Sequence, residues 1–310
     1  MLFVTFHGGK PEKNPHKNNI HAYDKDGKKL TSTVLEESDV FILDELRGIY
    51  FANGLLYVVN ANKEQNSVLC YAGSETDYKF VSKFTSNADC PGILHPFDLA
   101  FDNAGHCYVS NQDTNVVTRL KISAEGKTGT PAPIAPALPA NGKFIGGTFV
   151  ASSRSLKPAT TPVAAPQGLE YNDDGAKKHS VRGVVWANGA LYVADQPARR
   201  IKVYDNNGQF LGQSNGIESP VHLVAWKGSL YVSGGDEIRT AKLPDPPGNF
   251  QLEAIKDLKV KNSSGMAFTD KGHFYVASRT QNKIFKFDAD FRPMKIDCEL
   301  PDNPEFLLHV

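Results

Sequence analysis

The sequence has 310 residues, with 34 Lys and Arg against 34 Asp and Glu, so its formal net charge is zero. A general nucleic-acid binder draws much of its affinity from excess positive charge, so this balance argues against nucleic acid as a partner. No apolar run approaches the ~20 residues of a membrane helix, so we expect no membrane partner either. The four cysteines are scattered and show no C-x-x-C spacing, which predicts reduced, structural thiols and no zinc site of that type.

The start of the chain shows no secretory signal peptide, which favours the cytoplasm, with a processed secreted chain as the alternative. It opens directly in an apolar strand, Leu2–Phe6. A long loop with three lysines and two histidines, residues 7–19, then leads to the next strand. We interpret this loop either as a clamp for an anionic ligand or as a solvated, charged loop.

One phrase then recurs along the chain: an apolar strand, a turn with Asn or Gly, and a second strand that contains an aromatic residue followed by valine. The pairs are Phe3-Val4, Tyr57-Val58, Tyr108-Val109, Tyr192-Val193, Tyr231-Val232 and Tyr275-Val276. Most phrases are followed by a third short apolar run and a further turn. Each unit therefore predicts a four-stranded antiparallel meander, and copies of such a sheet stack face to face around an axis.

The spacing of the repeat gives the number of units. Successive aromatic residues of the pairs lie 54, 51, 84, 39 and 44 residues apart. A propeller blade takes roughly 40–50 residues, so the long interval indicates one blade plus an insert, which we place at residues 126–180 between blades 3 and 4. Within it, residues 142–152 are expected to supply an outer strand, and the remainder is either a solvated excursion or a lid or partner-docking arm.

The last segment, residues 304–310, has the pattern of a first strand with no second strand after it, whereas the chain opens in a second strand with no first strand before it. Together they predict a blade shared between the termini, which closes the ring and removes open sheet edges. The expected fold is all-β: a single domain, residues 1–310, forming a six-bladed β-propeller of four-stranded antiparallel blades.

In such a ring the first strands line a central channel. Their opening residues and the loops after the second strands form one mouth, where side chains from six blades converge. The residues at these positions that we select as catalytic are Glu305, Asp98 and His222, and those that we select as ligand-binding are Arg47, Arg182, Asn60, Asn111, Asp195, His7 and Arg279. Carboxylates there can move protons or ligate a metal, and arginines can hold an oxyanion. The alternative is that these side chains only bond one another across the channel.

The phrase G-[IV]-x-[FW]-x-x-[ND]-G-x-[LF]-Y-V-x-[ND] resembles the NHL repeat and its relatives among six-bladed propellers, most closely at residues 183–205 and 265–288. The resemblance implies the fold but not one activity, because this scaffold hosts many. Gluconolactonase-like members bind a divalent metal through a Glu, an Asn and an Asp. Glu305 matches the Glu, but Arg182 and Ser264 stand where the other two are expected. The hydroxyglycine-lyase branch holds zinc with several histidines, of which only His222 has a counterpart, so zinc is not expected, and nothing matches the Glu of the strictosidine-synthase-like branch.

Three functions follow from these observations. The first is a non-catalytic propeller that binds a polar or anionic small molecule or a peptide at the mouth, using Arg47 and Arg182. The second is a lactonase-like hydrolase or lyase that uses Glu305, Asp98, Asn111 and Asp195 on calcium or a similar divalent ion. The third is an interaction scaffold that uses the 126–180 segment. The incomplete metal triad favours the first, while the cofactor, the oligomeric state and the ligand are not determined by the sequence.

Overall fold

A computed structural model describes residues 1–8, 18–90, 93–112, 116–132, 148–150, 181–196, 198–206, 208–296 and 298–310. Over these residues the chain forms strands and turns and no helix, and the strands make six antiparallel sheets. The expected all-β, six-bladed propeller is therefore confirmed. None of the described residues forms a helix that could cross a membrane.

The sheets are numbered as blades in chain order, beginning with the blade that the termini share. Blade 1 is β25 (Pro304–His309), β1 (Leu2–Phe6), β2 (His21–Tyr23) and β3 (Lys29–Thr31); blade 2 is β4 (Leu46–Ala52), β5 (Leu55–Asn60), β6 (Ser67–Ser74) and β7 (Asp77–Ser86); blade 3 is β8 (Pro96–Phe101), β9 (His106–Asn111), β10 (Val116–Ile122), β11 (Gly129–Pro131) and β12 (Thr148–Val150). Blade 4 is β13 (Val181–Ala187), β14 (Ala190–Asp195), β15 (Arg200–Tyr204) and β16 (Phe210–Gln213); blade 5 is β17 (Pro220–Trp226), β18 (Ser229–Gly234), β19 (Glu237–Lys242) and β20 (Glu253–Lys259); blade 6 is β21 (Ser263–Phe268), β22 (Phe274–Ser278), β23 (Lys283–Phe287) and β24 (Pro293–Met294).

The termini complete blade 1 as predicted, because β25 pairs antiparallel with β1, with Phe3 opposite Leu308. In blade 3 two short strands share the outer edge of β10. β11 pairs with residues 120–122 of β10, and β12 pairs with residues 116–118. The expected outer strand from residues 142–152 is thus present, but part of the segment that we placed in the insert also belongs to the blade. The rest of that segment, 133–147 and 151–180, lies outside the described residues, as does most of the charged loop, 9–17.

The core is divided among the interfaces between blades. Six apolar clusters lie one between each pair of neighbouring blades in the described structure. The aromatic residue of each repeated pair is buried in them: Phe3, Tyr57, Tyr108, Tyr192, Tyr231 and Tyr275. A buried ring of this size removes about 150–250 Å² from water, so these six positions carry much of the interface energy. All four cysteines are buried, and none forms a disulfide in the described structure.

Every inner strand carries a β-bulge near its start, for example between Leu46 and Ile49 in β4. A bulge adds one residue against the partner strand and redirects the side chains around it. Two successive residues of each inner strand are thereby presented toward the channel. In ring order the first of the two is Glu305, Arg47, Phe97, Arg182, Val221 and Ser264, and the second is Phe306, Gly48, Asp98, Gly183, His222 and Gly265.

The second of these positions alternates between a bulky residue and glycine around the ring. A Cβ on Gly48 would lie 2.6 Å from Asp98 Oδ1, and a Cβ on Gly183 would lie 2.9 Å from the Cα of His222. The bulky residues also share a feature, because their backbone N–H groups donate to a hydroxyl on the second strand of the same blade: Thr5, Ser110 or Ser233. The channel is therefore built from three two-blade units in which one blade fills the space that its neighbour leaves open.

Candidate functional site

A buried carboxylate, Glu305, lies at the centre of the mouth where the inner strands begin. Its side chain is 1% exposed, with Oε1 3.2 Å from Arg47 Nη1 and 3.1 Å from His7 Nδ1, while Oε2 pairs with Arg279 Nη2. Burial alone raises the pKa of Glu305, but Arg279, Arg47 and His7 outweigh it and hold the pKa below its usual range. Glu305 is therefore a fixed anion that positions cations, and it has no proton to donate at neutral pH.

A second carboxylate, Glu45, lies beside the same arginine. Arg47 Nη2 donates to Glu45 Oε2 at 2.9 Å, and His95 Nε2 lies 3.4 Å from that oxygen. The hydrogen bond from His95, followed by the charge of Arg47, lowers the pKa of Glu45 to about 2. Arg47, only 2% exposed, is thus fixed between two carboxylates.

Arg182 has a different environment from the other two arginines. Its Nε donates to Gln196 Oε1 at 3.2 Å and its Nη1 to Gln112 Oε1, and no carboxylate among the described residues pairs with it. Its guanidinium lies 4.9 Å from the centre of the Phe97 ring. Burial and the positive charges of Arg279 and Arg47 outweigh the opposing charge of Glu305 and lower the pKa of Arg182 to about 10, which leaves it charged at neutral pH. The mouth therefore contains one guanidinium that forms no direct ion pair with a described carboxylate.

The structure brings together five of the residues selected from the sequence: Glu305, Arg47, Arg182, Arg279 and His7. The first three come from the inner strands, and the last two follow the ends of second strands. Gln112 and Gln196, which the sequence reasoning missed, occupy the same position after their second strands as His7 and Arg279 do after theirs. This shared position in the repeat was the signal that could have identified both glutamines.

Asn60, Asn111 and Asp195 end their second strands, and we selected them as ligand-binding residues of the mouth. In the structure their side chains face into the blades. All three are fully buried. Asn60 accepts from the Asp44 N–H and donates to the Ile42 carbonyl, and Asn111 accepts from the Leu94 N–H, so both fasten the chain that enters the next inner strand. Asp195 forms a 2.8 Å ion pair with Lys202 inside blade 4. Because side chains alternate across a strand, these residues lie on the opposite side from the mouth residues that follow them.

Asp98 and His222 lie deeper in the channel, each bridging to the next blade. Asp98 Oδ2 accepts from the Val184 N–H at 3.0 Å, and His222 Nδ1 accepts from the Met266 N–H at 3.0 Å. The Phe97 ring of the mouth touches Phe306, with ring centres 5.2 Å apart, and Phe306 touches His222 at 4.8 Å. These rings separate the mouth from a cavity at the other end of the channel, which Asp98 and His222 line.

The metal-binding hypothesis needs oxygen ligands that meet at one point. The described residues contain no group of three or more His, Cys, Asp or Glu side chains that could hold a metal ion. Of the four carboxylates and amides selected for calcium, Glu305 is surrounded by cations, Asp195 pairs with Lys202, and Asp98 and Asn111 bond backbone amides of different segments. These residues do not fit a shared cation.

Comparisons with known proteins agree with the fold. No family model matches the chain, and no curated protein matches it. Among solved structures, a Lactobacillus plantarum protein is 16% identical over 96% of this chain and 81% of its own, with a TM-score of 0.56. A chain of a nidogen/laminin complex is 13% identical over 99% and 96%, with a TM-score of 0.58. A putative 6-phosphogluconolactonase from Bacteroides fragilis is 13% identical over 99% and 96%, with a TM-score of 0.54.

At these identities the likeness concerns the fold alone. The matches extend over almost the whole chain, which supports one continuous propeller rather than a partial match to a few blades. The chain is therefore a six-bladed β-propeller.

Proposed function

We propose that this protein binds a small anion, a carboxylate or a phosphate, at the mouth formed by Arg47, Arg182 and Arg279. The observation that carries the proposal is the environment of Arg182, a half-buried guanidinium with only amide partners among the described residues. Desolvated charges in proteins are normally paired. An anionic ligand would supply the missing partner.

The chemistry of the groups favours an oxyanion. A guanidinium presents a planar fork of N–H donors that matches two oxygens of a carboxylate or phosphate. Glu305 and Glu45 hold Arg47 in place, and Glu305 also holds Arg279. These two arginines therefore lose little conformational entropy when a ligand binds. Phe97 lies beneath both Arg47 and Arg182, with their guanidinium carbons 5.6 and 4.9 Å from its ring centre, and gives the mouth an apolar floor.

A lactonase-like reaction is the alternative that the sequence left open, and the printed name of a structural neighbour refers to such an activity in that protein. No observation in the described residues favours it here. Its expected nucleophile-activating metal would need ligands that the structure places apart, and Glu305 is occupied by cations. The anionic character of a phosphorylated sugar would nevertheless suit the arginine mouth as a ligand.

The proposal is tested by calorimetric titration of the protein with inorganic phosphate and with malonate at low ionic strength, using Arg182→Gln and the control Arg292→Gln. Arg292 is 74% exposed and pairs with Asp290, so the control substitution removes the same charge from a distant, solvated position. We expect Arg182→Gln to weaken binding about tenfold or more, the size of a lost charge-assisted hydrogen bond, and the control to leave it unchanged. Equal binding by both variants, or no binding of either anion to the wild type, would refute the proposal.

A further inference from the structure

The channel contains a second space, a partly open cavity on the opposite side of the Phe97, Phe306 and His222 rings from the arginine mouth. This cavity, of about 330 Å³, is lined by the later residues of the inner strands. Volumes of this size are typical of small-molecule sites. The anion site at the mouth does not use it.

The walls of the cavity are aromatic and aliphatic. Both tryptophans of the chain, Trp186 and Trp226, line it together with Tyr50, Phe101 and Phe268. Trp226 stacks on Phe268 at 4.4 Å, and Tyr50 stacks on Phe101 at 4.7 Å, so the rings are held in place. Lys227 Nζ lies 4.3 Å from the centre of the Trp226 ring, so this indole already receives a cation.

The inner end of the cavity is polar, and its main group is the Asp98 carboxylate. Asp98 is 4% exposed, and its two oxygens accept one backbone N–H each, from Leu99 and from Val184. No cationic side chain among the described residues pairs with it, and no Lys or Arg is among the residues that line the cavity. Burial raises the pKa of Asp98 to about 8, so at neutral pH the ligand-free protein holds mostly the neutral acid. A bound ammonium ion would favour the ionised form, and each oxygen retains the capacity to accept another hydrogen bond.

His222 supplies a donor beside this acceptor. Because its Nδ1 accepts the Met266 N–H, the proton of the neutral ring is on Nε2. Burial lowers the pKa of His222 to about 3, so the ring is neutral at physiological pH. Its Nε2 has no hydrogen-bond partner among the described residues, although the residue is only 7% exposed and lines the cavity.

We propose that this cavity is a second ligand site, which takes a small organic ammonium ion with an aromatic or branched apolar body, its nitrogen bound to Asp98. The carboxylate lacks a cationic partner, the walls offer aromatic faces that attract cations, and the space excludes larger molecules. The Nε2–H group of His222 selects, among such amines, those that also carry a hydroxyl oxygen as an acceptor.

The test uses the intrinsic fluorescence of the two tryptophans, which report on this cavity directly. The full chain is titrated with phenethylammonium and with its neutral analogue 2-phenylethanol. We expect a saturable fluorescence change, with the ammonium binding about tenfold or more tightly than the alcohol, as a charge-assisted hydrogen bond requires. We expect 2-amino-1-phenylethanol to bind more tightly than phenethylammonium.

Two variants distinguish this site from the mouth. Asp98→Asn should abolish the preference for the ammonium over the alcohol, and Ala225→Leu, which adds volume to the lining, should weaken both probes. Arg292→Gln should change neither, because Arg292 is exposed and does not line the cavity. Thermal unfolding confirms that each variant is folded, and if Asp98→Asn is not, the probe comparison and Ala225→Leu decide.

Equal affinity for the ammonium and the alcohol, an Asp98→Asn variant that keeps the preference, or an Ala225→Leu variant that binds both probes normally would overturn the proposal. Phosphate binding at the mouth is measured separately, so failure of one site leaves the other result intact.

Discussion

At the scale of single residues, the channel depends on glycines that stand beside bulky neighbours. A Cβ at Gly183 would lie 2.7 Å from the Val221 carbonyl oxygen and 2.9 Å from the His222 Cα, and both contacts are with backbone, which cannot move aside. Glycine is required there by the close approach of two inner strands rather than by its conformational freedom. The side chain of His222 occupies the channel beside Gly183.

We therefore expect Gly183→Ala to lower the free energy of unfolding by about 1–3 kcal/mol, the usual cost of an added carbon in a packed interior. Gly216→Ala is the matched control, because a Cβ there meets nothing within 4 Å. Denaturant unfolding of the two variants checks this, and an equal effect of both would show that the inner strands are not in close contact.

Glu305 gives a second prediction at this scale, because its structural and functional roles have opposite consequences. Glu305→Gln should destabilise the protein by about 3 kcal/mol, since it leaves the buried Arg47 and the partly buried Arg279 without their shared carboxylate. The same change should tighten phosphate binding, because it removes the negative charge that competes with the ligand. Calorimetry and unfolding measure the two effects, and a loss of phosphate binding in a folded variant would contradict this account.

The pH dependence of that difference follows from the lowered pKa of Glu305. In the unfolded chain the carboxyl has its ordinary pKa of 4.5, and in the folded protein the pKa is lower. The stabilisation is therefore complete above pH 4.5 and is lost as the pH falls through the folded value. The stability difference between wild type and Glu305→Gln should shrink on acidification, and a constant difference from pH 6 to pH 3 would argue against the ion pairs.

At the scale of elements, the repeat predicted strands well and side-chain directions less well. The alternation of apolar and polar residues, the turns and the aromatic–valine pairs identified the inner and second strands of each blade. The bulge at the start of each inner strand has no composition of its own, so the different depths of its two successive channel residues could not be read from the pattern. For the same reason Asp98 and His222 were placed at the mouth, although they lie below it.

The side-chain directions at the ends of the second strands differ from expectation for a simpler reason. Asn60, Asn111 and Asp195 end these strands, and the residues after the last two, Gln112 and Gln196, bond Arg182 at the mouth. Neighbouring residues of a strand lie on opposite faces, so an assignment that is wrong by one residue places the side chain on the wrong face. Reading the next position of the repeat would have found Gln112 and Gln196 along with His7 and Arg279.

Asn60→Ala tests this assignment. Asn60 bonds the N–H of Asp44 and the carbonyl of Ile42, so its loss should cost about 1–3 kcal/mol by leaving buried backbone groups unsatisfied. Phosphate affinity should not change. Asn303→Ala, at an exposed position, should stay within about 0.5 kcal/mol of wild type. A stable Asn60→Ala variant that no longer binds phosphate would restore Asn60 to the ligand site.

At the scale of the whole molecule, the balanced charge of the sequence conceals a separation of charge along the channel. Arginines are concentrated at one mouth, whereas the cavity at the other end has no described Lys or Arg in its lining and contains Asp98, whose pKa burial raises to about 8. Net charge is a sum over the chain and contains no information about this arrangement. The ring of blades creates it, because equivalent positions of six distant segments meet at one axis.

The measurement that tests the central claim most directly is a crystal structure of the protein with selenate, located by its anomalous signal. We predict an anomalous peak above the Phe97 ring, within hydrogen-bond distance of the Arg182 guanidinium and absent from Arg182→Gln crystals. A mouth that contains only water at saturating selenate, with the anion bound elsewhere or equally in the variant, would contradict the proposed anion site.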